Sequence, residues 1–267
     1  MLGQVAAAGE ARKYPWAAAY DAAQALAARI PPPKGAERVA LAAGSFADWL
    51  RHLPLRPGRP DVLLFNGQKK ANQGAHVAVV ALDVGSRDLQ QCADAVIRLR
   101  AEYLFSLGRT GDIAFTFTSG DRAEWAKWAE GHRPRVSGSQ VRWARTAARD
   151  ASYQSFRRYL DTVFTYAGTL SLSRELRAVA KPEEMQAGDV FIQGGSPGHA
   201  VLVVDVAADA RAGKTFFLLA QSYMPAQEMH VLKNPSDAAL SPWYALDFGE
   251  TLVTPEWRFP RSSLKRF

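Results

Sequence analysis

One cysteine, Cys92, stands in a chain of 267 residues. A lone thiol excludes an internal disulfide and any metal site built from several cysteines. Long apolar runs are missing too. The longest, around Val77–Leu82 and Ala200–Val206, have the length of strands and fall far short of the roughly 20 residues of a bilayer-spanning helix. The five histidines, at 52, 76, 132, 199 and 230, are scattered. No H-E-x-x-H, Walker A or dinucleotide glycine fingerprint accompanies them, so neither a metal nor a cofactor is expected. No zinc-finger or RNP spacing occurs, and the basic groups Lys69–Lys70, Arg133–Arg135 and Lys265–Arg266 are short and dispersed. Nucleic acid is therefore not an expected partner. Met1–Ala8 lacks the basic-then-apolar order of a secretory signal.

What is present is an ordinary globular composition, 48% hydrophobic and 22% charged, which argues against disorder. The net charge of +7 favours acidic partners such as an anionic cell-wall polymer. An arginine-rich solvated surface is the plainer explanation.

Residues 1–13 read as a loose tail and 14–267 as a single α+β domain with a mixed, mainly antiparallel sheet packed on helices. Ala17–Ile30 is alanine-rich and stops at Pro31–Pro33, which predicts a helix. Ser45–Arg51 reads as a short helix capped by Ser45. Asp61–Phe65 reads as a strand before an Asn66–Gly67 turn. Val77–Val84 is apolar enough for a central strand. Leu89–Phe105 is the strongest helix, with Arg100 on its apolar stripe and so expected to be buried with a partner. Asp112–Thr118 reads as a strand, Arg122–Trp128 as a short helix and the segment with Gly131, Pro134 and Gly138 as a basic loop. Ser152–Phe164 is helical, and Ser171–Val179 is a further helix capped by Ser171. From Gly188 onward, strands are expected at Val190–Gln193, Ala200–Val206, Phe216–Gln221, Met229–Leu232 and Thr251–Val253.

The chemistry concentrates in GDVFIQGGSPGHAVLVVDV (188–206) and FFLLAQS (216–222). A Gly-Asp turn precedes a strand, His199 opens the next strand and Gln221 ends the third. This pattern resembles the strand core of the papain-like NlpC-type and CHAP-type cysteine amidases. There a cysteine at the start of an earlier helix is the nucleophile, a histidine is the base and a polar residue orients it. The resemblance implies Cys92, His199 and Gln221 in those catalytic roles. It also implies a papain-like core with insertions, and a peptide or peptidoglycan-like substrate. Gly195, Gly198, Ser222 and Tyr223 are the candidate substrate-binding residues. The chemical rationale is that a helix N-terminus favours a thiolate, an imidazole takes its proton and an amide oxygen fixes the ring.

Departures are visible. Roughly a hundred residues separate Cys92 from the Gly-Asp turn. With Ser86 as N-cap, Cys92 lies beyond the first turn, where the dipole fades. A buried structural thiol and a core histidine are the competing readings. His76 is a rival base, matching related enzymes of permuted order. GGSPG (194–198) formally matches a nucleophile elbow, but an apolar strand follows it, so Ser196 reads as a loop residue. Trp125, Trp128 and the stretches 222–232 and SPWY (241–244) either wall a groove or cap the core, and core is preferred.

The chain as a whole is also similar to an uncharacterised bacterial family known only as a domain of unknown function. The similarity rests on 88–105, 188–201, 220–232 and 241–244. Many of that family's members look like envelope proteins, which favours a periplasmic or envelope location. The functional expectations are a cysteine hydrolase or acyltransferase on amide bonds, or a non-catalytic envelope binding module that keeps the groove.

Overall fold

The computed structural model describes residues 13–267. The expected tail, 1–13, lies outside these apart from Lys13. Among the described residues six α-helices run in chain order: α1 (Leu26–Arg29), α2 (Phe46–Arg51), α3 (Cys92–Ser106), α4 (Trp125–Ala129), α5 (Tyr153–Tyr166) and α6 (Thr169–Glu175). The strands before residue 180 are β1 (Glu37–Arg38), β2 (His76–Val79), β3 (Ala114–Thr116), β4 (Arg122–Glu124), β5 (His132–Ser137), β6 (Gln140–Arg145) and β7 (Arg177–Ala178). Those after it are β8 (Val190–Gln193), β9 (His199–Asp209), β10 (Lys214–Gln221), β11 (His230–Leu232), β12 (Tyr244–Ala245), β13 (Thr251–Val253), β14 (Arg258–Pro260) and β15 (Leu264–Arg266).

Nine strands form one sheet in the order β2-β11-β10-β9-β8-β15-β7, with β1 beside β9 and β12 beside β10. The pairings are antiparallel throughout the described residues, so the architecture is α+β on a large antiparallel sheet. The long β9–β10 hairpin is its spine. β8 pairs with the first half of β9 and β1 with the second. β11 pairs with the end of β10 and β12 with its beginning.

Period-two alternation along β9 explains the two layers. Ala200, Leu202 and Val204 pack with α3, α5 and their neighbours. Val201 and Val203 face the other way, against Phe191, Phe217, Leu219 and Phe259. Asp205 is fully buried within this apolar strand, held by Arg38 (2.6 Å) and Arg51 (2.8 Å). That charge-assisted clip ties β1 and α2 to the sheet.

α3 lies between the sheet and α5 and is buried on almost every side, which a single apolar stripe does not anticipate. The buried arginine is accordingly Arg98, not Arg100. Arg98 donates to Asp83 Oδ2 (2.6 Å) and Gln90 Oε1 (2.7 Å). Arg100 instead lies over the rings of Phe46, Tyr103 and Phe267.

Other expectations need correction. The segment 17–30 forms only a short 3₁₀ turn and α1, because Tyr14 and Trp16 pack on Trp49 and hold the preceding chain non-helical. Asp61–Phe65 makes isolated bridges around the turn at Gly67 rather than a strand. β2 is shorter than expected and ends the sheet path; beyond Val79 its run makes only an isolated bridge, Val80 to Leu55. Arg122–Glu124 pairs with β3, and the helix starts only at Trp125. The supposed basic loop is the β5–β6 hairpin, turning at Gly138 with φ +60°. α6 is capped at Gly168 and Ser171 is its third residue. Ser45 does cap α2, accepting from the Asp48 N–H. Trp125, Trp128 and Trp243 are buried in the core.

Candidate functional site

α3 begins later than its apolar pattern suggests. The Gln91 N–H donates to Asp94 Oδ2 (3.1 Å), and the Ala95 N–H closes the first turn on the Gln91 carbonyl (2.9 Å). Gln91 is therefore the N-cap, and Cys92 is the first residue of the helix. This corrects the Ser86 cap and brings the sulfur into the dipole's reach. The N–H groups of Ala93, Ala200 and Cys92 all favour a sulfur anion. Ala200 belongs to β9 and follows His199, so the helix start sits directly against the start of that strand.

Cys92 and His199 line one pocket of about 600 Å³. Gly195, Ser196, Pro197, Gly198, Tyr223 and Trp257 share its wall, together with Asp94 and Thr169. No hydrogen bond joins the sulfur to the imidazole among the described residues. Cys92 is 6% exposed and His199 2%. Burial, followed by the charge of Asp94, pushes the Cys92 thiol up to about 11. Burial pushes His199 down to about 4; its bond to Gln221 opposes this and the charge of Lys70 adds to it. At neutral pH the pair is thus a thiol beside a neutral imidazole.

Two glycines are closely packed: Gly198 in this wall, and Gly188 at the far end of β8, in a separate cleft beside Phe46. Gly188 has φ +101°, and a Cβ there would meet the Phe46 ring at 2.9 Å. The Gly-Asp turn is completed by Asp189, which is buried and paired with Arg266 (2.6 Å). Gly198 has no room for a Cβ, which would lie 2.4 Å from both Gly195 O and Thr169 Oγ1. The Thr169 hydroxyl donates to Gly195 O (3.2 Å), latching the 194–198 loop to the start of α6.

His199 Nε2 meets Gln221 Oε1 at 2.8 Å. The pairing is topological: His199 opens β9, Gln221 closes β10, and both stand at the same end of one hairpin. The imidazole is enclosed by Tyr223 (4.7 Å), Trp257 (5.2 Å) and Phe259 (5.8 Å) between ring centroids. Gln221 Nε2 donates to Glu256 Oε2 (2.7 Å), and Lys70 Nζ grips both oxygens of Glu256 (2.5 and 2.6 Å).

The structure therefore brings Cys92, His199, Gln221, Gly195, Gly198 and Tyr223 together. It does not bring in Ser222, whose buried hydroxyl is spent on the carbonyls of Gln90 and Gln227 (3.1 and 2.7 Å). His76 is not in this wall either. Its Nε2 bonds Pro60 O (2.9 Å) and its ring packs edge-on against His230. Sequence reasoning missed Asp94, Thr169, Lys70, Glu256 and Trp257. The last three come from irregular segments with no periodic signal, while Asp94 was hidden by the misplaced helix start. A larger pocket of about 810 Å³ lies between Pro31–Lys34 and Ser241–Ala245 and contains no nucleophile–base pair. No group of three or more metal-ligating side chains occurs among the described residues, and no helix among them is long and apolar enough to cross a membrane.

Fold and site together define an α+β protein with a thiol, an imidazole and an amide gathered at the end of an antiparallel sheet. The chain belongs to the family described as domain of unknown function 4846, whose model matches residues 26–266. No curated protein and no solved structure matches it.

Proposed function

We propose that this protein is a papain-like cysteine hydrolase or acyltransferase acting on amide bonds, with cell-envelope peptides as the substrate class. The observation that carries the reading is the shared pocket, with Cys92 at a helix N-terminus and His199 at the mouth of a strand that touches it. His199 Nε2 is engaged by Gln221, so Nδ1 is the ring nitrogen available to a proton.

In this mechanism Cys92 Sγ adds to the substrate carbonyl as His199 Nδ1 takes the thiol proton. With the thiol near 11 and the imidazole near 4, transfer accompanies attack rather than preceding it. The oxyanion forms beside the N–H groups of the first turn of α3, whose helical partners are missing. The C–N bond then breaks and the imidazolium proton goes to the departing amine. Water, or a second amine, attacks the thioester, returns its proton through His199 and releases the thiol. The +7 charge suits an anionic wall around such peptides.

The test is alkylation of Cys92 by iodoacetamide at pH 7 in the intact chain, alongside amine release from stem peptides. His199→Ala is expected to slow alkylation about a hundredfold, the lower end of general-base assistance, and Cys92→Ala to abolish amine release. Equal alkylation rates with and without the imidazole would remove the base from the scheme. The raised thiol pKa favours a second reading, a binding module that keeps the groove. An inert thiol in the unmodified chain, with peptide retained but not cleaved, would establish it.

A further inference from the structure

Behind the imidazole lies a chain of polar groups that the mechanism above does not use. Lys70 is buried, as is most of Glu256, and their ion pair is capped by the ring of Tyr223, 5.3 Å from Lys70 Nζ. We infer that the Lys70–Glu256 pair fixes the tautomer of His199 through the Gln221 amide, making Glu256 a positioning residue for the base. This inference rests on the hydrolase reading only for its catalytic consequence.

Glu256, gripped through both oxygens by Lys70, only accepts hydrogen bonds. The Gln221 atom 2.7 Å from it must therefore be the NH₂ group. Reversing the amide would set its oxygen against a carboxylate oxygen, with no proton between them. A second acceptor holds the same orientation. His230 Nδ1 faces the Glu228 carbonyl at 2.8 Å and so carries the proton of that ring. Burial keeps His230 neutral, which leaves its Nε2 a bare lone pair, 3.4 Å from Gln221 Nε2. Both amide hydrogens thus point away from His199, and only Oε1 faces it. An oxygen accepts, so His199 Nε2 holds the proton and Nδ1 presents its lone pair to the pocket. A charge pair two hydrogen bonds away decides which nitrogen can receive the thiol proton.

The experiment reads the tautomer directly. Full-length chain labelled with ¹⁵N-histidine is examined by NMR between pH 6 and 8, with His199 assigned by its loss in His199→Gln. The native protein is expected to show His199 protonated at Nε2 alone. In Glu256→Gln the new amide offers both a donor and an acceptor, so the shorter restraint on Gln221 is lifted and only the long 3.4 Å contact to His230 Nε2 opposes its turning. The Nδ1-protonated form is then expected to rise from a trace to roughly a third of the population or more, and alkylation of Cys92 to slow in proportion. Should the unpaired Lys70 prevent folding, the double variant Lys70→Met/Glu256→Gln supplies the same readout without a stranded charge. A folded variant that keeps the single Nε2–H tautomer overturns the inference. An inert Cys92 with the native tautomer as expected overturns the hydrolase reading instead and leaves the positioning assignment intact.

Discussion

Asp94 stands two residues after the thiol, with Oδ2 bonded to the Gln91 N–H and Oδ1 buried without a partner among the described residues. Burial pushes its carboxyl up to about 8. The folded state therefore holds this proton to higher pH than the unfolded chain, whose aspartates ionise near 4. Stability linked to Asp94 is thus lost as pH rises from about 4 through 8. Asp94→Asn should show a smaller fall in melting temperature across that window than the native chain, measured by calorimetry at pH 5 and pH 8. The same charge raises the thiol, so the variant should also alkylate several-fold faster at pH 9, where Asp94 is ionised and opposes the thiolate. A pH–rate profile that superimposes on the native one would show that the field of Asp94 does not reach the sulfur.

Among the elements, α5 gives the cleanest tests of local physics. Ser152 accepts from the Ser155 N–H at its start (3.2 Å), and Ser152→Ala should cost about 1 kcal/mol in urea denaturation. Phe156, fully buried, stacks on Phe105 at 4.4 Å, and Phe156→Ala should cost about 3–5 kcal/mol. Gly198→Ala has a different signature. Its Cβ would force the 194–198 loop from Thr169, at about 1–3 kcal/mol of overpacking, and it should impair Cys92 alkylation out of proportion to that cost. The same elements show what a sequence displays. β8 and β13 were readable residue for residue because both are short apolar runs bounded by turn residues. His199 and Gln221 were readable because each bounds a near-continuous apolar run of strand length. The 17–30 segment was not, since an aromatic cluster around Trp49 outweighs alanine's helix propensity. The β5–β6 hairpin was hidden because its few apolar residues, Val136, Val141, Trp143 and Ala144, are scattered among arginines and polar residues. Lys70 and Glu256 were invisible, lying in segments whose order comes only from tertiary contact.

At the scale of the whole molecule, the positive charge is not evenly spread. Between Gly131 and Arg149 there are five arginines and no acidic residue. Arg135 and Arg142 are both exposed and stand directly opposite each other across β5 and β6, a pairing that repels unless an anion lies over it. Retention on an immobilised anionic polymer should fall steeply between 50 and 500 mM salt, because the screening length contracts to several ångströms over that range. Arg135→Glu/Arg142→Glu should elute markedly earlier, and unchanged elution would place the contact elsewhere.

The distance along the chain between α3 and the β9–β10 hairpin has a consequence for biogenesis. The sulfur leaves the ribosome about a hundred residues before the imidazole, and Glu256, bonded to the Gln221 amide behind that ring, follows later still. Until the β9–β10 hairpin has been made, Cys92 has no imidazole across its pocket. Premature termination anywhere between the two would leave a product that carries the cysteine without the imidazole.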